Sequence, residues 1–266
     1  MSRNIGSTTK FSQIIKEVKS LLFLLTVVFA IFACESTKEH GNEAGESQLS
    51  ADTIPNYEAR SIEGFQVFVE KRAFVQNDSL TNQAILLLKK QLAIISALNL
   101  NSSILKQLKS VAIFLDWNTD YGAAVYHPSE QWLVENGYYP GKAESIEISN
   151  LQNFISWSNL NQPFMILHEL SHAYHHKYIG FDDARITNTF NTVLGSGLYR
   201  NVKVHNGNEE YSITETAYSL TNKKEYFAEL TEAYFGRNDI FPFNKNELES
   251  YDTLGFNMIE SVWQQD

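Results

Sequence analysis

Apolar and polar positions change their period several times along the chain. The first apolar block is continuous, from Leu21 to Ala33, and follows a stretch that carries Arg3, Lys10, Lys16 and Lys19. It is shorter than the roughly 20 residues a membrane-spanning helix requires, so it reads as the apolar part of a targeting segment. From Glu35 to about Tyr57 the chain is polar and holds almost no large apolar side chain. Such a stretch cannot bury enough surface to offset the entropy of ordering, and it reads as a flexible tether. Beyond it, Phe65, Val67 and Val69 recur at every second position, the period of a strand. Leu80 to Leu98 is apolar-rich at helical spacing, with Lys89, Lys90 and Gln91 on the outer face. Val111 to Leu115 reads as a buried strand and Gly122 to Tyr126 as another. Ser145 to Ser149 alternates Ile146 and Ile148 with polar residues, which predicts a half-exposed strand.

The second half of the chain is dominated by helical periods. Asn161 in a capping position and Pro163 just after it predict a helix running to about Tyr178. Asp183 to Leu194 reads as helical and stops at Gly195-Ser196-Gly197. Asn201 to His205 and Glu210 to Thr214 flank Asn206-Gly207, a strong hairpin signal. A final helix opens near Asn222 and ends at Gly236. Strands first and helices afterwards define an α+β domain: a small mixed sheet, then a first motif helix, then a second.

Length and charge refine this picture. The chain has 266 residues and a formal net charge of -10, which suits one globular domain and would repel a nucleic-acid backbone. The single cysteine, Cys34, excludes an intramolecular disulfide. It directly follows Ile31-Phe32-Ala33 at the end of the apolar block, an arrangement that resembles the lipobox of bacterial lipoproteins. The resemblance implies cleavage before Cys34, acylation of its thiol and an anchor in the cell envelope, with the membrane as a partner through the lipid. The organisation read from the sequence is therefore a signal peptide over 1–33, a tether over 34–58 and a folded domain over 59–266. Removing the signal peptide takes away four basic residues and one acidic residue. The remainder then carries 17 basic and 30 acidic residues, a net of -13.

Chemistry concentrates in His168-Glu169-Leu170-Ser171-His172. Residues four apart lie on one helical face, so both imidazoles can reach the same ion. Glu169 is turned aside from that ion and can approach a water instead. A catalytic zinc site needs a third protein ligand and an open fourth position. A third histidine six residues beyond His172 is excluded, because Tyr178 stands there. His175 shares the face of His168 and His172, but three ligands on one straight helix would surround an ion poorly, so His175 is assigned a supporting place beside the metal. A carboxylate from the next helix solves the geometry better. Glu225 and Glu229 stand one turn apart there, although Asn222 and Glu225 also fit a capping box.

In the two blocks His168–His172 and Tyr218–Glu229 the sequence resembles the zinc-protease domain of the anthrax lethal factor family, a branch of the gluzincins. Tyr218, Thr221-Asn222 and Glu225-Tyr226-Phe227-Ala228-Glu229 carry the second block. The resemblance covers about the last hundred residues and implies a zincin-like fold with one zinc ion per chain. It implies His168, His172 and Glu225 as ligands, Glu169 as general base and Tyr218 as the phenol facing the substrate oxygen. The segment Leu230 to Phe243 departs from the toxin, so its substrate class is not carried over.

The expectation is a zinc metallopeptidase that cleaves peptide or protein substrates, in which Glu169 takes a proton from a water activated by the metal. Glu229, one turn from Glu225, is placed to hydrogen-bond a ligating histidine. Two other readings stay open: a catalytically silent zinc-binding lipoprotein that recognises a partner, and a zinc hydrolase of non-protein amides or cell-wall peptides. The oligomeric state is left open. The lipid anchor is tested by Cys34→Ser, which should release the protein from membranes or accumulate its precursor. Unchanged mature mass and membrane association would contradict lipidation.

Overall fold

Alternation along the early strands sets up two faces of one sheet, and the chain then covers each face differently. The computed structural model describes residues 54–119 and 122–264, which belong to a compact unit spanning Ala51–Asp266. The targeting block and Cys34 lie outside the described residues, as does the tether up to residue 53. Residues 54–58, which the sequence places in the tether, are part of the fold. Ile54 is buried and the first strand, β1 (Tyr57–Ile62), opens at Tyr57. This strand is mostly exposed or half-buried, so its sequence carries no apolar alternation to announce it. It pairs antiparallel with β2 (Phe65–Glu70) across Glu63-Gly64, and both turn residues have positive φ, 52° and 85°. Positive φ at both central positions matches the right-handed twist of the strands a hairpin joins.

The sheet continues through β3 (Ile113–Leu115), β5 (Ile146–Ile148) and β4 (Val125–Tyr126), in the spatial order β1-β2-β3-β5-β4. The β2–β3 and β3–β5 pairs are parallel and the outer pairs antiparallel, so the sheet is mixed. β5 is not half-exposed: all three residues are buried and the strand lies inside the sheet. Glu147 alternates with two isoleucines because it faces a buried polar network, not solvent. Among the described residues the edge positions belong to β1 and β4.

Phe65, Val67, Val69, Ile113, Ile146 and Ile148 face the main core. Against them pack Leu88, Leu92 and Ile95 of α1 (Lys71–Ser96), a helix kinked at Asn77, whose side chain accepts a hydrogen bond from the Leu80 amide at 3.0 Å. The short α2 (Ser102–Lys109) leads into β3. On the other face, Phe68 and Phe114 stack beside Ile54, and a buried polar network lies next to them. Lys142 Nζ donates to Asp116 and, at 2.8 Å, to Glu147, while His127 meets Glu147 at 2.7 Å. Burial alone would raise the Glu147 pKa, but hydrogen bonds from His127 and Lys142 hold it down at about 2. Burial outweighs Lys142 at Asp116 and pushes its carboxyl up to about 6. The segment with α3 (Glu130–Glu135) supplies Trp132, which stacks on His127.

Helices follow the sheet, broken by one hairpin. α4 (Leu151–Leu160), capped by Asn150, was not foreseen. α5 (Met165–Tyr174) carries the histidine motif and widens into a π-helical turn over His175–Ile179. It opens at Met165 instead of at Asn161, whose side-chain amide donates to the His205 carbonyl at 3.0 Å. α6 (Ala184–Leu194), capped by Asp183, leads into the hairpin of β6 (Arg200–His205) and β7 (Tyr211–Thr216). α7 (Lys223–Phe235) is not the last helix: α8 (Lys245–Tyr251) and α9 (Thr253–Trp263) follow it.

The last helix holds the middle two together. Trp263 of α9 stacks on Tyr174 of α5 at 4.6 Å and on Phe227 of α7 at 5.6 Å, and its indole N–H donates to Thr231 at 3.0 Å. Truncating a fully buried aromatic of this kind costs about 3–5 kcal/mol. Trp263→Ala should therefore lower the urea unfolding free energy by about that much. A loss under about 1 kcal/mol would mean that the ring does not clamp the two helices.

Candidate metal centre

α5 and α7 run in opposite directions past one another. Phe164, just before α5, rests on Gly236, just after α7, where an added Cβ would lie 2.0 Å from the ring. That close approach needs glycine. Further along, His168 faces both Glu225 and Glu232, and His172 faces Glu225.

The N-terminus of α7 aims the third carboxylate. Asn222 caps the helix alone, its Oδ1 accepting from the Lys224 and Glu225 amides at 2.8 and 3.1 Å. The Glu225 side chain is thereby free of a capping duty and turns to the histidines. Its Oε2 lies 3.2 Å from Nε2 of His168 and 3.2 Å from Nε2 of His172. Two donors held tetrahedrally at about 2.05 Å from an ion lie about 3.3 Å apart, so these spacings fit a metal site. All three ligand atoms fall within 4.8 Å of one another. The three side chains retain 13–15% exposure.

The charges agree with a cation at this point. Burial would disfavour a charged His168, yet Glu225 on one nitrogen and Glu232 on the other push its pKa well above the ordinary value. Burial would likewise raise Glu225, but His172 and His168 hold its carboxyl far below the usual range. A pocket that retains a proton between imidazole and carboxylate in this way is also one that a divalent cation can enter with the same partners satisfied.

The carboxylate supporting His168 is Glu232, which sequence reasoning missed. It accepts at 2.7 Å from Nδ1, whereas Glu229, the residue expected in this role, stands 3.8 Å away. Glu225, Glu229 and Glu232 share one helical face at i, i+4 and i+7, so the spacing held the signal. Glu229 instead accepts from Asn238 at 3.1 Å, and burial together with Glu232 and Asp239 pushes its pKa well up. His175, one turn beyond His172, is fully buried between Phe181 and Phe227, and burial together with the neighbouring His172 lowers its pKa to about 3. The π-helical turn rotates it into the core.

Glu169 and Tyr218 flank the three ligands. Glu169 Oε2 accepts from the backbone N–H of Tyr126 at 2.8 Å, which ties the motif helix to the edge strand β4. Tyr218 lies half-buried in a short 3₁₀ turn (Tyr218–Leu220) between β7 and α7. Burial and the charges of Glu225, Glu229 and Glu169 raise its hydroxyl pKa, as does its hydrogen bond to Glu225. The five residues therefore gather in one place. Compared with known proteins, the chain matches no family model, no curated protein and no solved structure.

Metal binding by this group should depend on Glu225. Zinc titration of Glu225→Ala against a fluorescent chelator should show loss of tight binding, and Glu232→Gln should weaken binding about 10- to 100-fold. Undiminished affinity in Glu225→Ala would move the ion to the neighbouring group of His168, Glu229 and Glu232.

Proposed function

We propose that the chain is a zinc metallopeptidase of the zincin type, related to the lethal factor protease domain and carried on the cell envelope by a lipid on Cys34. The observation that carries this reading is the convergence of Glu225 on His168 and His172 at 3.2 Å each, with Glu169 one residue from the first histidine. Two neutral imidazoles and one carboxylate suit zinc, and three ligands leave a position open for chemistry. Zinc held there supplies a Lewis acid that polarises a carbonyl and makes an attacking water acidic near neutral pH.

The protein's own groups divide the remaining work. Glu169 takes the proton of the attacking water and delivers it to the leaving amine. Its second oxygen stays anchored on the Tyr126 amide, so the carboxylate does not have to be ordered during the reaction. The Tyr218 hydroxyl donates to the carbonyl oxygen as that oxygen becomes negative, a bond that strengthens only towards the transition state. Glu232 fixes the His168 ring with its Nδ1–H donated and Nε2 presented.

Two substitutions test the assignment on isolated steps. Glu169→Gln should retain zinc and melting temperature and lose nearly all turnover; activity near wild type would remove Glu169 as the base. Tyr218→Phe keeps the ring and should lower kcat by about a hundred- to a thousandfold, or about 2.7–4 kcal/mol. Equal kcat at equal stability would place Tyr218 outside the reaction.

A further inference from the structure

Beyond the metal group, a line of contacts runs from the base Glu169 to Lys224, the residue before the ligand Glu225, by way of side chains that the proposed chemistry does not use. The backbone N–H of Tyr126 binds Glu169, and the hydroxyl of the same Tyr126 meets His176 Nδ1 at 2.9 Å. The His176 ring stacks on Phe181 at 4.7 Å with an interplanar angle of 19°. Lys224 Nζ stands 4.6 Å above the same Phe181 ring, and Lys224 is the residue before Glu225. The chain reverses at Gly180, whose φ of 81° a residue with a side chain rarely adopts, and this reversal lays Phe181 back over the helix. The edge strand and the start of α7 are thereby joined at one end of the site.

The cation in this wall is unlike its neighbours. Lys223 is paired with Asp182 at 2.8 Å and Lys177 with Glu144 at 3.0 Å. Lys224 has no carboxylate within ion-pair distance among the described residues and only the π face of Phe181 beneath it. The other groups around the metal ligands are acidic: Glu169, Glu229, Glu232 and Asp239. An unpaired ammonium on an aromatic shelf attracts an anion and repels the ammonium end of a peptide.

We propose that this wall closes one end of the cleft and that Lys224 receives a carboxylate of the substrate there, selecting peptides that present one on the leaving side of the scissile bond. The proposal rests on the peptidase reading and adds the substrate class to it. Two sources share this chemistry, a free C-terminus and an acidic side chain, and Lys224 would bind either by a charge-assisted hydrogen bond.

The test compares four peptides that differ only beyond the scissile bond: free acid or amide at the C-terminus, combined with Glu or Gln at an internal position. Zinc-loaded wild type should cleave a carboxylate-bearing peptide with a kcat/KM about ten- to a hundredfold above its neutral counterpart, the range expected for a hydrogen bond to a charged group. Lys224→Gln should bring that ratio close to one, with zinc content and melting temperature unchanged, and Lys224→Arg should restore part of it. Preference for the free acid assigns the carboxylate to the terminus, and preference for internal Glu assigns it to a side chain. The same four peptides titrated calorimetrically into zinc-loaded Glu169→Gln report the preference without turnover, and Lys224→Gln in that background should weaken binding of the acidic ones only. Equal handling of acid and neutral peptides by wild type, or a preference that survives Lys224→Gln, overturns the proposal. Cleavage of none of the four removes the peptidase reading instead, and the calorimetric comparison then decides the subsite by itself.

Discussion

Two imidazoles on one helix can hold an ion only if a third donor reaches them from elsewhere, so the site depends on the spacing between α5 and α7. That spacing is set by packing at both ends of the contact. At one end Phe164 lies against Gly236, where no side chain could intervene. Along the other side Trp263 is wedged between Tyr174 and Phe227, with its N–H bound to Thr231. Aromatic stacks of this size carry much buried area and a defined geometry, which makes them effective spacers as well as core. Among the described residues α9 thus adds no side chain to the group of His168, His172 and Glu225, and its packing supports the spacing at which they meet.

The same helix pair concentrates negative charge in the interior. Glu225, Glu229 and Glu232 stand on one face of α7, and Asp239 follows it with its pKa raised to about 7 by burial and Glu232. Such a cluster would be costly without partners. Here His168 is shared by Glu225 and Glu232, Glu229 is pushed towards its neutral form, and Asp239 accepts from the side-chain amides of Asn161 and Gln162. A divalent cation adds the largest compensating charge available at that point. The arrangement resembles a metal site built in two layers, ligands in front and carboxylates behind them, in which the rear layer decides how the front one is held.

Much of the site was legible in the sequence because its parts are local. The i, i+4 histidines, the capping Asn222 and the hairpin leading to Tyr218 are all short-range patterns, and each falls where its spacing placed it. What was not legible came from long-range contacts or from weak periodicity. β1 shows little alternation because most of its residues are partly exposed on both faces. The alternation around Glu147 predicts a solvent-facing residue because nothing near it in sequence reveals that Lys142 and His127 reach it. The Tyr126–Glu169 contact joins residues 43 apart. Glu232 was overlooked in favour of Glu229, although both lie on the ligand-bearing face and only the packing of α5 on α7 decides between them. The π-helical turn that buries His175 has no mark in the sequence pattern.

The central claim is that these three ligands hold a zinc ion that cleaves peptide bonds. The most direct test is digestion of a diverse peptide library by the purified chain, read by mass spectrometry before chelation, after chelation and after zinc is restored. The account predicts defined cleavage products that disappear with the chelator and return with zinc. An unchanged library under all three conditions, or products indifferent to chelation, would contradict it.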